Sequence, residues 1–215
     1  MKLAACLLAS LMVFSAGALS LDTKAASHPA SAPSPQSSPK ISKARLEGKK
    51  LILEGENFNI GAVILINGKK QKTRNDSAEP SNVLIAKKGG KKIPAGSLVV
   101  LRVKNPGNPA SDDFGFFSGL TVTLDDGGKT INVKAGEKFM LLLKKENFIW
   151  TPTILDPAIV KQVDDASIIP GAQGIFLAVQ AGSTSLVAVG ELPCHRSDPP
   201  CLAPALGFEV NIVVH

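Results

Sequence analysis

Two cysteines near the C-terminus enclose the side chains of this protein that are best suited to chemistry. The segment GELPCHRSDPPCLAP, residues 190–204, places Cys194 and Cys201 on either side of His195, Arg196 and an aspartate. A zinc site ordinarily has four protein ligands, and two sulfurs with one imidazole supply only three. A redox pair ordinarily has the spacing C-x-x-C, whereas six residues separate these cysteines. The remaining interpretation, a loop closed by a disulfide, depends on the compartment.

The N-terminus predicts an exported protein. MKLAACLLASLMVFSAGALS begins with one lysine, continues without a charge and contains AGA, which matches the A-x-A pattern of signal peptidase sites. We predict a cleaved signal peptide at residues 1–18, a secreted or periplasmic location and a mature chain without a transmembrane span. A lipid anchor at Cys6 is not expected, because the apolar run follows this residue. A retained anchor would need about 20 apolar residues.

In an oxidising compartment, two close cysteines most simply form a disulfide. We therefore predict a Cys194–Cys201 bond, which is worth about 2.5 kcal/mol for a ring of eight residues. His195 and Arg196 become candidate contacts of a closed binding loop.

Composition divides the rest of the chain into a linker and two parts of opposite charge. Residues 19–38 are rich in Ser, Pro and Ala and predict a disordered linker. Residues 40–118 contain fifteen Lys and Arg against seven Asp and Glu, whereas residues 119–215 contain seven against ten. This change of sign predicts a domain boundary near residue 118.

Short alternating segments predict an all-β fold. LVVLRVK at 98–104 and FEVNIVV at 208–214 place apolar side chains on one face and polar ones on the other. Turn signals separate such segments, and Asn67-Gly68 is the strongest because both residues accept positive φ. We predict two immunoglobulin-like β-sandwiches in tandem, built of short antiparallel strands, after the signal peptide and linker.

The first part resembles an IPT/TIG domain, an immunoglobulin-like module. The resemblance covers residues 39–118 and rests on the strand LIL at 51–53, on GENF at 55–58 and on VKNPGNPAS at 103–111. Gly55 permits a backbone turn, Asn57 caps it, and Phe58 would fill the sandwich. The resemblance implies a spacer or binding module without enzymatic activity.

The second part is similar to the chagasin-type inhibitors of cysteine peptidases, which are also immunoglobulin-like. The similarity covers residues 119–215 through AGEKFMLLL at 135–143, FIWTPTILDPAIV at 148–160 and GAQGIFLAVQAGSTSLVA at 171–188. That family inhibits through three loops at one end of the sandwich. Here KKEN replaces the family's N-P-T-T-G motif, GAQG matches its glycine-rich loop, and the cysteine loop replaces Arg-Pro-Trp. The candidate binding residues of the first two loops are Asn147, Trp150, Gly171, Gln173 and Gly174. For Trp150, burial in the core is the alternative.

A lysine run is the remaining candidate site. Lys87, Lys88, Lys91 and Lys92 flank two glycines and, with 69-KKQKTR-74 elsewhere in the same part, are either a solvated face or a patch for an acidic partner. Nucleic acid is not the expected partner, because an exported chain with so few aromatic residues offers little for bases to stack on.

The residue inventory argues against catalysis. The sequence has no tyrosine, its histidines are His28, His195 and His215, and G-x-S-x-G, H-E-x-x-H and P-loop motifs are absent. The adjacent aspartates at 112–113, 125–126 and 164–165 are interpreted as turn residues that bond their own backbone. We therefore expect no enzyme, no cofactor and no metal site.

Together these features predict a secreted, monomeric, non-enzymatic binding or spacer protein that acts at the cell envelope or outside the cell. Its partner would be an unknown protein or an envelope glycan. One alternative is an inhibitor of papain-like cysteine peptidases that uses the C-terminal loops. A second alternative is a purely structural spacer.

Overall fold

The structure, a computed structural model, describes Ser37–His215, which form one compact unit. The predicted signal peptide and residues 19–36 of the predicted linker lie outside the described residues. Within 37–215, β-strands are joined by turns, loops and three short 3-10 turns at Gly89–Lys92, Leu124–Asp126 and Pro193–Arg196. The all-β prediction is confirmed. No helix in this part of the chain has the length and apolar character needed to cross a membrane.

Two four-stranded antiparallel sheets form the first sandwich. Its strands are β1 Lys40–Glu47, β2 Lys50–Glu56, β3 Val63–Ile66, β4 Lys69–Lys70, β5 Thr73–Asn75, β6 Val83–Ala86, β7 Leu98–Lys104 and β8 Phe114–Phe117. One sheet has the order β1-β2-β6-β5 and the other β4-β3-β7-β8. The alternating apolar side chains meet between them, and the fully buried ones include Leu51, Leu53, Ile64, Leu84, Leu101 and Val103.

Local sequence sets the turns of this sandwich as predicted. Asn67 and Gly68 have φ values of 46° and 77°, as a type I′ turn requires. Asn57 also has positive φ, and Phe58 is 2% exposed within the core. Gly55 differs from the prediction of a turn residue: it lies within β2, where a Cβ would collide with the carbonyl oxygen of Lys40 on the neighbouring strand, so the close approach of the strands requires glycine.

Two further four-stranded sheets form the second sandwich. Its strands are β9 Leu120–Thr123, β10 Thr130–Val133, β11 Lys138–Leu142, β12 Ile149–Ile154, β13 Val160–Asp164, β14 Ala172–Ala178, β15 Gly182–Glu191 and β16 Leu206–Val214. The sheet orders are β13-β14-β11-β9 and β10-β16-β15-β12. Phe139 and Phe176 stack at the centre of the core with 5.5 Å between ring centroids.

Strand direction differs from the prediction at two places in the second sandwich. β9 pairs with β11 and β10 pairs with β16 in parallel, whereas the sequence pattern predicted only antiparallel strands. Alternation reports which face of a strand is buried and carries no information about the direction of its partner. The prediction of two immunoglobulin-like sandwiches is otherwise confirmed.

A third apolar cluster joins the two sandwiches. Phe117 of the first packs with Met140, Ala166 and Ile175 of the second, and Leu98 and Ile169 lie against them. A Cβ at Gly115 would lie less than 3 Å from Ile168 and Ile169, so the backbone of β8 and the 168–169 segment are in close contact here. This cluster is distinct from the two larger cores, whose residues lie within 41–116 in the first sandwich and 122–214 in the second. The domain boundary near residue 118 stays a prediction.

Candidate binding loops

Strand register gathers three loops at one end of the second sandwich. Leu142, the last residue of β11, pairs with Ala172, the first of β14. Ile149, the first residue of β12, pairs with Glu191, the last of β15. Residues 143–148, 165–171 and 192–205 therefore leave their strands on the same side. We call these three segments the loop end.

Gln173 ties the first of these loops to the second. Gln173 is the extra residue of a β-bulge in β14, because Leu141 pairs with Gly174 and Leu142 pairs with Ala172. The backbone N–H of Leu143 donates to Oε1 of Gln173 at 2.6 Å, and Nε2 of Gln173 donates to the carbonyl of Gly171 at 2.8 Å. A buried N–H needs such an acceptor. Gln173, a predicted contact residue, is therefore placed as an internal brace of the loop end.

The two glycines of GAQG permit close approach of the chain. Gly171 has φ of 82°, and a Cβ there would lie 2.9 Å from Cγ of Lys144 in the first loop. Gly174 has φ of 148° and is buried, and a Cβ there would collide with the side chain of Gln162. Both glycines shape the backbone of the loop end; Gly171 is exposed, whereas Gly174 is buried.

Trp150 lies in the core beneath the loops. It is 8% exposed, and its ring packs against Gly190, where a Cβ would be 3.0 Å from three ring atoms. Phe148 lies beside it at 6.3 Å between ring centroids, and Nζ of Lys145 lies 5.5 Å from the Phe148 centroid. Of the two interpretations of Trp150, a contact residue of the loops or a buried core residue, the structure shows burial in the core. Asn147 is exposed and has φ of 64°.

The predicted disulfide between Cys194 and Cys201 is confirmed, with the two Cα atoms 5.4 Å apart. The ring closed by it is also tied internally. The N–H of Cys201 donates to the carbonyl of Cys194 at 3.1 Å, and Oγ of Ser197 donates to the same carbonyl at 2.7 Å. Nε2 of His195 lies 2.7 Å from the carbonyl of Ala203; because a carbonyl only accepts, this nitrogen carries the proton.

The outer surface of the disulfide loop combines an apolar side chain with charges of both signs, among them the exposed Asp198. Leu202 is fully exposed, next to the bridge. Nη2 of Arg196 lies 3.7 Å from Oε2 of Glu191, and both side chains are substantially exposed. A pair of this kind contributes little to stability and leaves the guanidinium accessible. The sequence argument named Arg196 and missed Leu202, although a leucine beside a proline-rich stapled loop was a usable signal.

A short turn lies at the same end of the second sandwich as the loop end. Thr123 pairs with Leu142, so the turn at 124–129 starts on the same side as the three loops. Oδ2 of Asp126 accepts from N–H and Oγ1 of Thr123 at 2.9 and 3.2 Å. The Thr123 backbone N–H, more than any other contact, lowers the pKa of the Asp126 carboxyl. The predicted role of this aspartate, bonding its own backbone, is confirmed.

The predicted lysine patch lies in the first sandwich. Lys87 and Lys88 follow β6 and Lys91 and Lys92 end the adjoining 3-10 turn, all four exposed. The structure therefore brings the three predicted loops together at one end of the second sandwich and places the lysine patch in the other sandwich.

Among the residues described, no group of three or more His, Cys, Asp or Glu side chains is arranged as metal ligands would be.

No protein-family model matches the chain, and no curated protein matches its sequence. By structure, the chain is similar to the cysteine protease inhibitor EhICP2 from Entamoeba histolytica, with 8% identity and a TM-score of 0.33 over 45% of this chain and 94% of that one. It is similar to amebosin, with 21% identity and a TM-score of 0.29 over 45% of this chain and 97% of that one.

A third similar structure is SGBP-B of the Bacteroides ovatus mixed-linkage glucan utilization locus, in complex with a mixed-linkage heptasaccharide. Identity is 12% and the TM-score is 0.25, over 78% of this chain and 42% of that one. At such identities and TM-scores, these likenesses carry no argument about function. The resemblance of residues 39–118 to IPT/TIG domains stays a prediction.

Proposed function

We propose that this is an exported, non-enzymatic binding protein that holds a partner protein with the loop end of its second sandwich. The observation that supports it is the convergence of residues 143–148, 165–171 and 192–205 at one end of that sandwich. The exposed groups there combine charges of both signs with apolar surface: Lys144, Lys145 and Arg196 lie with Glu146, Asp165 and Asp198, and Leu202 is fully exposed. Arginine and large apolar side chains together suit a protein surface.

Internal bonds favour binding by this end. The first two loops are braced by Gln173 and the third is closed by the Cys194–Cys201 bridge. A loop that is ordered before binding loses less conformational entropy when the partner arrives, so more of its contact energy appears as affinity. The side chains that point outward are then free to contact the partner.

Inhibition of papain-like cysteine peptidases is the second candidate. It is favoured by one specific feature: three adjacent loops at the end of an immunoglobulin-like sandwich, which is how the chagasin-type inhibitors that residues 119–215 resemble enter an active-site cleft. In this chain the outermost apolar side chain of the three loops is Leu202, beside the bridge. The disulfide loop would then be the third of the loops that enter the active-site cleft.

The general proposal is tested with a photo-crosslinking amino acid at position 202 of the secreted chain in its own culture medium. A control chain carries the same group at Leu155, an exposed leucine between β12 and β13, at the opposite end of the second sandwich. We expect a protein adduct from position 202 that excess unlabelled chain suppresses and excess Leu202→Asp chain does not. The same adduct from both positions, or none from 202, overturns the proposal.

The inhibitor candidate is tested by titrating the chain against papain and comparing it with the Cys194→Ser, Cys201→Ser variant. Inhibition by the wild type that the double variant loses supports this candidate. Equal rates with and without micromolar wild-type chain reject it and leave the general proposal standing.

A further inference from the structure

Four lysine pairs lie together at one end of the first sandwich, although the chain order separates them. They occupy positions 49–50, 69–70, 87–88 and 91–92. Leu51 pairs with Ala86, which sets the start of β2 beside the end of β6 and brings the first and third pairs to the same side. We call the eight residues the lysine end.

Two contacts bring the pairs close to each other. The N–H of Gly90, between the third and fourth pairs, donates to the carbonyl of Lys49 at 3.1 Å. Lys92 lines a groove of about 410 Å³ together with Lys69 and Lys70. The turn that carries Lys49 and the hairpin that carries Lys69 and Lys70 thus flank the 3-10 turn. Positions 49 and 50 were not recognised from sequence, because about 40 residues separate them from the run at 87–92.

The positive charge of the lysine end is not neutralised by the protein. All eight side chains are exposed, and in the part of the chain that the structure describes none of them forms an ion pair. The nearby acidic groups are engaged elsewhere. Glu47, opposite Lys50 in the hairpin, accepts from Nε of Arg45 at 3.0 Å, and Glu54 pairs with the same arginine. Like charges therefore face solvent together, which raises the local concentration of anions.

We propose that the lysine end binds a linear anionic polysaccharide. Its charges are spread over three turns and suit anionic groups repeated along a chain better than a single phosphate in a pocket. Ammonium groups on flexible stems contact sulfates or carboxylates as point charges without a fixed geometry. No large apolar side chain of the described residues is exposed at this end, so it lacks a group to insert into a lipid layer.

The experiment measures binding of the full mature chain to heparin, a sulfated polysaccharide, and to polygalacturonate, a carboxylated one. The test variant is Lys87→Gln, Lys88→Gln, Lys91→Gln, Lys92→Gln. The matched control removes the same charge elsewhere through Lys104→Gln, Lys134→Gln, Lys138→Gln and Lys161→Gln, all exposed positions outside the lysine end. Uncharged dextran is the ligand control, and the urea midpoint of each variant shows that it is folded.

We expect the wild type to bind at least one of the two polymers and to release it as salt rises, because salt screens exposed charges. The dissociation constant of the test variant should rise about tenfold or more, and that of the control variant less than about twofold. The polymer bound more tightly distinguishes sulfate from carboxylate as the recognised group.

Three results overturn the proposal. The first is equal weakening in both variants, which would reduce the effect to net charge. The second is absence of binding to both polymers at low salt. The third is binding to vesicles containing phosphatidylserine with no binding to the polymers, which would make a membrane surface the partner. The loop end is unchanged in every variant, so its own test is independent.

Discussion

The lysine end of the first sandwich and the loop end of the second differ in what holds their surface side chains in place. At the lysine end, short turns are set by Asn67 and Gly68 with positive φ, and the lysines extend into solvent. At the loop end, longer segments are held by the Cys194–Cys201 bridge and by the side chain of Gln173. The first end therefore suits recognition by charge, and the second suits recognition by shape. Substitutions should reveal this difference, since the loop end is held by a covalent bridge and by an acceptor for a buried N–H, whereas the side-chain bonds at the lysine end are exposed.

The largest expected effect comes from removing the bridge. Cys194→Ser with Cys201→Ser frees a ring of eight residues in the unfolded chain and should lower the free energy of unfolding by about 2.5 kcal/mol. The only tryptophan, Trp150, packs against Gly190 at the base of this loop and reports unfolding of the second sandwich by fluorescence in urea. An unchanged urea midpoint would show that the bridge does not constrain the second sandwich.

A smaller effect is expected from Gln173→Ala. The substitution leaves the N–H of Leu143 without its acceptor and should cost about 1–2 kcal/mol, with faster hydrogen exchange of that amide. The matched control at the lysine end is Gln71→Ala, which removes an exposed bond from Nε2 to the carbonyl of Lys69. We expect less than about 0.5 kcal/mol there. Equal losses at the two glutamines would contradict the contrast between the two ends.

The smallest expected effect concerns Asp126 and depends on pH. The Thr123 N–H holds the pKa of this carboxyl below its ordinary value, so its contribution is present above the unfolded-state pKa and is lost as pH falls through the folded one. Asp126→Asn should cost about 0.5–1 kcal/mol at pH 7. The difference from wild type should shrink below about pH 4 in urea unfolding followed across pH.

Asp125→Asn is the control for this measurement, because it removes the same charge from an exposed neighbour. A pH dependence that is the same for both variants would assign the effect to net charge and not to the bonds with Thr123.

Local signals in the sequence predicted the parts of the fold that short segments decide. Alternation identified β7 and β16, and the Asn67-Gly68 pair identified its turn. The same reasoning did not show that β9 and β10 pair in parallel with β11 and β16, since pairing depends on partners up to about 80 residues away. The binding role of Gln173 stays a prediction, and its bond to the N–H of Leu143 was not foreseen because it depends on a bulge in strand pairing.

By itself, the sequence determined the all-β class, the two oppositely charged parts and the disulfide, because periodicity, composition and cysteine spacing are local properties of the chain. The tertiary structure decided that Trp150 is buried, that Leu202 is the outermost apolar group of the disulfide loop, and that four separate lysine pairs form one surface. It also decided that Phe117 and Met140 pack the two sandwiches together. These outcomes depend on strand register and on packing between distant segments, and no short stretch of sequence contains that information.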